Sequence, residues 1–471
     1  MLDVESVLWL ILGSVSMVFS TWSSLLNLGC SILCAVAPGL RPSLLSSSLW
    51  RSSQSSKGSG VEGFLMSCAL ISLVLHVMSI ADDHWVAYSI VGVPIHAYPR
   101  LFLVLAALLA SIGAYHPQPR SFIFLVSWEL MFHSIRMYRA MQGVWTFGEW
   151  TVVTCFLSIA FSEIVSLSDA GLDQASYIVA VAGTLGCLVA CGLSAKVPQL
   201  LVRLPLLVIT PLVFVEGAMD WYSFEIPPPK CFNWLLAFLL DCENATSACF
   251  PRIAWIVYWI VVVGIMVPIS AHPKFATLAP TVVLRKWFHL VAILLFTPAT
   301  LLAPQLMTLS YAIALCSLMV LECIRPQLPR TIQVFYLTLL DAEKDKPDCV
   351  ILSHLTLIAG CAFPLWLSEC IGEESKIMKL WGVAVLGVGD SFGAIVGSSW
   401  GRTKWGRGRK RSVEGSLAML LSLGICCSFL GKHWIVTVAF ATLLEAFTFQ
   451  IDNLILPLAG AGMLAFLSVQ S

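Results

Sequence analysis

The chain has 471 residues, of which 58% are hydrophobic and 11% charged, and its mean hydropathy is +0.87. Soluble domains carry about 25% charged residues, so this chain cannot clothe a water-facing surface of ordinary size: a soluble globular fold is excluded, and no nucleic-acid partner is expected. The formal net charge is zero, so only local charge can point to an anionic ligand.

Apolar runs near the roughly 20 residues needed to cross a bilayer recur along almost the whole length. Residues 7–37 are too long for a signal peptide and lack a basic leading region, which predicts one or two retained membrane helices. Residues 41–60 are Ser-rich, with three basic and no acidic residues, and read as a flexible cytosolic loop. Further spans are expected at 64–80, 101–115, 151–167, 177–195, 253–270, 290–303, 306–321 and 381–398. Glu129, His133 and Arg136 form a polar stripe at helical spacing, read as pairing between helices or as part of a lipid cavity wall. Strand signals are absent. The expected fold class is therefore all-α, a polytopic transmembrane helical bundle of roughly 12–15 spans. Most of the 16 cysteines lie inside apolar spans, as at Cys426-Cys427, and read as small buried hydrophobes. No zinc-type spacing occurs, so no structural metal site is expected.

Two signals set the orientation of the second half. The sequon Asn244-Ala245-Thr246, flanked by Cys242 and Cys249, is a possible N-glycosylation site if it faces the lumen. Five spans follow it, at 253–270, 287–303, 306–323, 351–371 and 380–399, which puts the next loop on the opposite side. That loop, 402–411, reads RTKWGRGRKR, with six basic residues and no acidic one. The positive-inside rule assigns it to the cytosol independently. The same count puts Arg285, Lys286 and His289, the loop 325–348 and the segment around Asp452 on that face. Polar residues gathered on one side suit a cytosol-facing site at the membrane boundary, whereas transporters place them near the midplane.

The richest stretch is 387–415, GVGDSFGAIVGSSWGRTKWGRGRKRSVEG. Gly389, Gly393, Gly397 and Gly401 recur every four residues and line one helix face, which admits either a packed helix or a phosphate chain. Asp390 is a carboxylate within an apolar span, and such a residue is a functional candidate by default. With the basic loop that follows, the set suits a nucleoside triphosphate and its metal, Asp390 holding a divalent ion and the cations neutralising phosphate. No Walker pattern is present. The alternative reading of the loop is a lipid-headgroup anchor. A second group, Asp341 to Asp348, has four acidic residues in eight positions and leads into His354; it reads as a metal ligand or general base, or as a solvated loop. A third pairs Glu445 with Asp452, seven residues apart and so able to face one side of a helix. Arg285, Lys286 and His289 admit the plainer reading of an interface anchor.

The stretches RKWFHL (285–290), LTLLDAEKD with ILSHLTLIAGCAFPLWL (337–367), GVGDSFGAIVGSSWGRTKW with KRSVEG (387–415) and LLEAFTFQIDNLILPL (443–458) resemble the dolichol kinase family, in order and spacing, over roughly 280–460. The resemblance implies a catalytic region at 271–471, preceded by a hydrophobic array at 1–270. It implies an endoplasmic-reticulum membrane enzyme, its site facing the cytosol, that moves the γ-phosphoryl of CTP to dolichol with a divalent cation, expected to be Mg²⁺. The CTP-binding residues it implies are Ser398, Ser399, Gly401, Lys404, Trp405, Arg409, Lys410, Arg411, Glu414 and Gly415. Asp390, Asp341, His354, Glu445 and Asp452 are the expected catalytic groups. Two alternatives stand beside this reading: a CTP-dependent lipid cytidylyltransferase, whose usual PGHGG signature is missing, and a membrane lipid or metabolite transporter.

Overall fold

The structure, a computed structural model, describes residues 145–146, 149–150, 152–154, 175–194, 197, 200–222, 224–241, 251–271, 281–331, 333, 350–371, 375–406, 411–429, 434–448 and 450–470. The expected features at 7–37, 41–60, 64–80 and 101–115, the stripe at 129, 133 and 136, Asn244 and Asp341 lie outside them, as do Arg409 and Lys410. Among the described residues no β-strand occurs, and Lys404 with Ser412 makes an isolated antiparallel bridge.

The helices in chain order are α1 (Ala175–Ser194), α2 (Leu200–Trp221), α3 (Lys230–Leu240), α4 (Ile253–Ala271), α5 (Thr281–Leu302) and α6 (Pro304–Ile324), the last followed by a 3-10 turn (Arg325–Gln327). Then come α7 (Leu352–Ile371), α8 (Lys376–Val383), a π-helical segment (Ala384–Asp390), α9 (Ser391–Ser399), α10 (Val413–Ser428), α11 (Trp434–Phe447) and α12 (Asp452–Gln470). The five crossings expected after Asn244 correspond to α4, α5, α6, α7 and the continuous rod α8–π–α9. Four helical stretches among the described residues are long and apolar enough to cross a membrane: 175–194, 202–221, 304–327 and 376–399. With shorter apolar helices around them, they make this a multi-pass helical membrane protein. Prolines interrupt α2, α4, α5, α7 and α12 without ending them, as membrane helices allow when neighbours take up the freed backbone groups.

Close packing, rather than water exclusion, holds helices together in lipid, and small residues carry it here. A Cβ on Gly460 of α12 would strike the indole of Trp381, which is fully buried on α8. One on Gly382 would lie 2.8 Å from Cys361 Cα on α7, and one on Gly360 would strike the Asn453 carbonyl of α12. The core around this seam takes in α5 to α8, the π-helical segment and α10 to α12, and also Trp145, Trp150 and Val152. A smaller cluster joins α1 to α2 and α3. Cys187 on α1 donates its thiol to the Cys316 carbonyl on α6, 3.6 Å away. By contrast α2 and α4 turn Ile209, Val257 and Ile260 outward, as lipid-facing helices do.

Alternate helix ends meet at one end of this bundle. Glu322, near the end of α6, accepts the Ile351 N–H at 3.0 Å and so serves the orphan donors at the start of α7. The Ser353 carbonyl of α7 accepts Asn453 Nδ2 of α12 at 3.4 Å. Of the polar residues that the span count placed on one face, Lys286, His289, Arg411 and Asp452 lie in one neighbourhood.

Candidate functional site

Asp390 ends the π-helical segment and is 3% exposed. A π-turn inserts a residue into the helical register and is often found at functional sites. Here α5 lies so close that a Cβ on Gly387 would run into Ile293. Lys286 and His289 are three residues apart on α5, hence on one face, and both meet the π-segment. The Lys286 ammonium is ion-paired with Asp390 Oδ2. His289 Nδ1 donates to the Leu386 carbonyl at 2.7 Å and lies 3.5 Å from Asp390 Oδ2. With its proton committed to a carbonyl, the ring presents Nε2 as its acceptor nitrogen when neutral.

The described base of the basic loop is clamped. Val413 N–H donates to the Thr403 carbonyl at 2.8 Å, and Thr403 N–H donates to the Glu414 carboxylate at 2.9 and 3.2 Å. Ser412 caps α10 by accepting Gly415 N–H at 3.1 Å. Trp405 donates its indole N–H to Ser416 Oγ at 2.9 Å and packs on Phe447, ring centroids 5.2 Å apart. This base turns Arg411 inward while Arg402 and Lys404 stay exposed. Ser398 and Ser399 are also exposed at the end of α9, Ser398 Oγ donating to the Ile395 carbonyl at 3.1 Å.

The glycine stripe faces α10. A Cβ on Gly415 would lie 2.8 Å from the Gly393 carbonyl and 3.1 Å from Gly397 Cα, and one on Gly389 would lie 3.3 Å from Leu423. Of the two readings of the stripe, helix packing is the one these contacts express. A Cβ on either Gly401 or Gly415 would meet the Ser412 hydroxyl, so both glycines set the shape of the loop base.

Arg411 joins two carboxylates. One guanidinium nitrogen pairs with Glu445 Oε1 and the other lies 2.9 Å from Asp452 Oδ2. Burial alone would lower the Arg411 pKa, but Glu445, Asp452 and Asp390 outweigh it and hold the group above its ordinary value. Glu445 and Asp452 do not face one side of a single helix, as their spacing suggested. They flank a break between α11 and α12, where Thr448 Oγ1 accepts Gln450 N–H at 3.2 Å. Asp452 Oδ1 accepts Asn453 N–H at 3.0 Å. Five segments thus supply one cluster, in which Asp390, Glu445 and Asp452 are near enough to repel one another.

The cluster holds three carboxylates against two cations, an excess of one negative charge when His289 is neutral. Among the described residues no three His, Cys, Asp or Glu side chains form a ready-made metal cage. Mg²⁺ characteristically takes one or two carboxylates and completes its shell with phosphate oxygens and water, so the donor set fits that ion in company with a phosphate.

His354 sits half-buried in the first turn of α7, the turn tied to Asn453 through Ser353. Sequence reasoning passed over Thr146 and Glu149, whose hydrogen bonds reach Gln450 and Ile451. The available signal was the T-x-x-E spacing of a capping box. In sequence Lys286 and His289 admit the reading of an interface anchor, yet their i, i+3 spacing marks a shared helix face.

The chain resembles several curated proteins. It is 29% identical over 243 residues to Dolichol kinase EVAN of Arabidopsis thaliana, covering 48% of this chain and 42% of that one. It is 28% identical over 256 residues to the Dolichol kinase of Homo sapiens, covering 48% and 46%. It is 29% identical over 252 residues to Dolichol kinase sec59 of Schizosaccharomyces pombe, covering 48% of each chain. The matched stretch is thus under half the length of these curated relatives. No family model and no solved structure matches the chain. The resemblance read from the motifs is borne out by these relatives.

Proposed function

We propose that this chain is a dolichol kinase, transferring the γ-phosphoryl group of CTP to the terminal hydroxyl of dolichol to give dolichyl phosphate for glycan assembly. The relatives' names supply the reaction. The observation that carries the site is Asp390, buried within a membrane rod yet paired with Lys286 and set beside the Arg411–Glu445–Asp452 group.

Phosphoryl transfer asks for in-line placement and charge neutralisation more than covalent chemistry. The segment from Ser398 to Gly415 binds CTP in this reading, with Lys404, Arg409 and Lys410 on the triphosphate and Ser398 and Ser399 beside it. Arg411 has a different part: held by two carboxylates, it anchors the loop base to the cluster. Asp390, with Asp452 or Asp341, would hold Mg²⁺, which when bound offsets phosphate charge. Lys286, ion-paired with Asp390, aims its carboxylate. Glu445, Asp452 or His354 orients the dolichol hydroxyl and takes its proton. The hydroxyl oxygen bonds to the γ-phosphorus as the bond to the bridging oxygen breaks, releasing CDP. The polyprenyl chain lies between helices, its alcohol at the membrane boundary. The catalytic region is 271–471, joined by the segment around Glu149. In this reading the protein is a multi-pass protein of the endoplasmic-reticulum membrane, and the positive-inside character of 402–411 supports a site open to the cytosol.

The test is purified protein with dolichol and γ-labelled CTP, with ATP as comparator. Label in the lipid and released CDP support the kinase. Pyrophosphate release instead indicates a cytidylyltransferase, and uptake into vesicles without nucleotide turnover a transporter.

A further inference from the structure

The break before Asp452 is braced by residues about 300 positions earlier. Thr146 and Glu149 form a capping box: Thr146 N–H donates to Glu149 Oε2 at 2.9 Å, and Glu149 N–H donates to Thr146 Oγ1 at 3.2 Å. Both side chains then reach out of their own turn. The Thr146 hydroxyl donates to Gln450 Oε1 at 2.8 Å, and Glu149 Oε1 accepts Ile451 N–H at 2.7 Å. Glu149 is fully buried, and Gln450 and Ile451 nearly so.

Ile451 is the residue that caps α12, since its carbonyl accepts the N–H groups of Leu454 and Ile455 at 3.1 and 3.0 Å. In a capping box an acidic side chain at the third helical position accepts the N–H of the cap residue. Here Glu149 does this for α12 from a distant part of the chain, and its charge lies at the favourable end of that helix. A buried carboxylate is costly unless its oxygens are hydrogen-bonded, so the two backbone donors it holds are tightly constrained in position. The next residue after Ile451 is Asp452, which grips Arg411. Trp145 and Trp150 flank the box within the same core as Ile451 and Leu454.

We infer that Glu149, oriented by Thr146, is a positioning residue for Asp452, so that the first half of the chain contributes directly to the geometry of the reaction site. This rests on the kinase reading above. Displacement of a reacting group by about 1 Å can cost on the order of 100-fold in rate, so small losses of alignment at the break are readable.

The experiment compares full-length wild type with E149A, E149Q, T146V, T146S, D452N and E149A/D452N in CTP-dependent dolichol phosphorylation, alongside elution profiles in detergent. E149A is expected to lower kcat by roughly 10- to 100-fold and to shift kcat and KM for CTP in the same proportion as D452N. E149Q, which keeps an acceptor for Ile451 N–H, recovers part of the loss. The double variant is expected to be no worse than D452N alone, because both act on one group. T146V loses activity and T146S, which retains the hydroxyl, recovers it. Losses that add fully in the double variant, or full activity in E149A, overturn the inference. If E149A does not elute as a folded species, the Thr146 pair decides: equal activity of T146V and T146S overturns it. Inactive wild type instead indicts the kinase reading itself.

Discussion

Lys286 is ion-paired with Asp390, 104 residues further along the chain, across the contact between α5 and the π-helical segment. Both side chains are largely withdrawn from solvent. Removing one partner of such a pair strands the other charge, at a cost of about 3–5 kcal/mol. K286M is therefore expected to lower the thermal midpoint in detergent and to abolish kinase activity. K286M/D390N removes both charges and is expected to recover the midpoint while remaining inactive. A double variant as unstable as K286M would break the link between the two residues.

Asp390 is the proposed metal ligand, and D390N keeps its size and hydrogen-bonding shape. Loss of a group that stabilises developing charge costs on the order of 10²–10³-fold in rate, and a loss of that size is expected here, together with a lower thermal midpoint because Lys286 is left without its carboxylate. Chelation of divalent ions is expected to silence the wild type, with recovery on adding Mg²⁺. Normal CTP-dependent activity in D390N membranes would remove the metal assignment.

Arg411 spans Glu445 and Asp452 with two separate nitrogens. Lysine has a single charged nitrogen and cannot reproduce that fork. R411K is expected to lose most of the activity, and R411Q to lose stability as well. The raised pKa of Arg411 has a definite sign. Its stabilisation is fully present below the unfolded arginine pKa and is lost only as pH rises through the still higher folded value. The midpoint difference between wild type and R411Q should thus stay constant from neutral to mildly alkaline pH. A difference that shrinks over that window would show that the guanidinium is not the group responsible.

Gly415 lets α10 approach α9. G415A forces the helices apart, and overpacking of this kind costs about 1–3 kcal/mol. G424A is the control, because its Cβ would lie 3.4 Å from Trp434, an ordinary contact. Thermal midpoints should fall for the first and hold for the second. Equal shifts would mean that the glycine face is not a packing seam.

The glycine stripe separates what is local from what is not. Its four-residue period on a helix is local information, but whether a helix or a phosphate fills the face depends on where Gly415 comes to lie. Asp390 stood out because a carboxylate in an apolar span is costly wherever the span packs. Lys286 did not, because a lysine near a helix start is satisfied by water or headgroups unless a buried carboxylate lies opposite.

The sequence by itself determined the membrane class, the helical secondary structure, the order of crossings in the second half and the candidacy of Asp390. Each follows from the solvation of residues in lipid, a property of short segments. Only the tertiary structure decided that Lys286 neutralises Asp390, that Arg411 is tethered between Glu445 and Asp452, and that Glu149 caps α12. Those pairings join groups as many as 302 residues apart, and buried charges choose partners by proximity in the folded bundle, which no local spacing encodes.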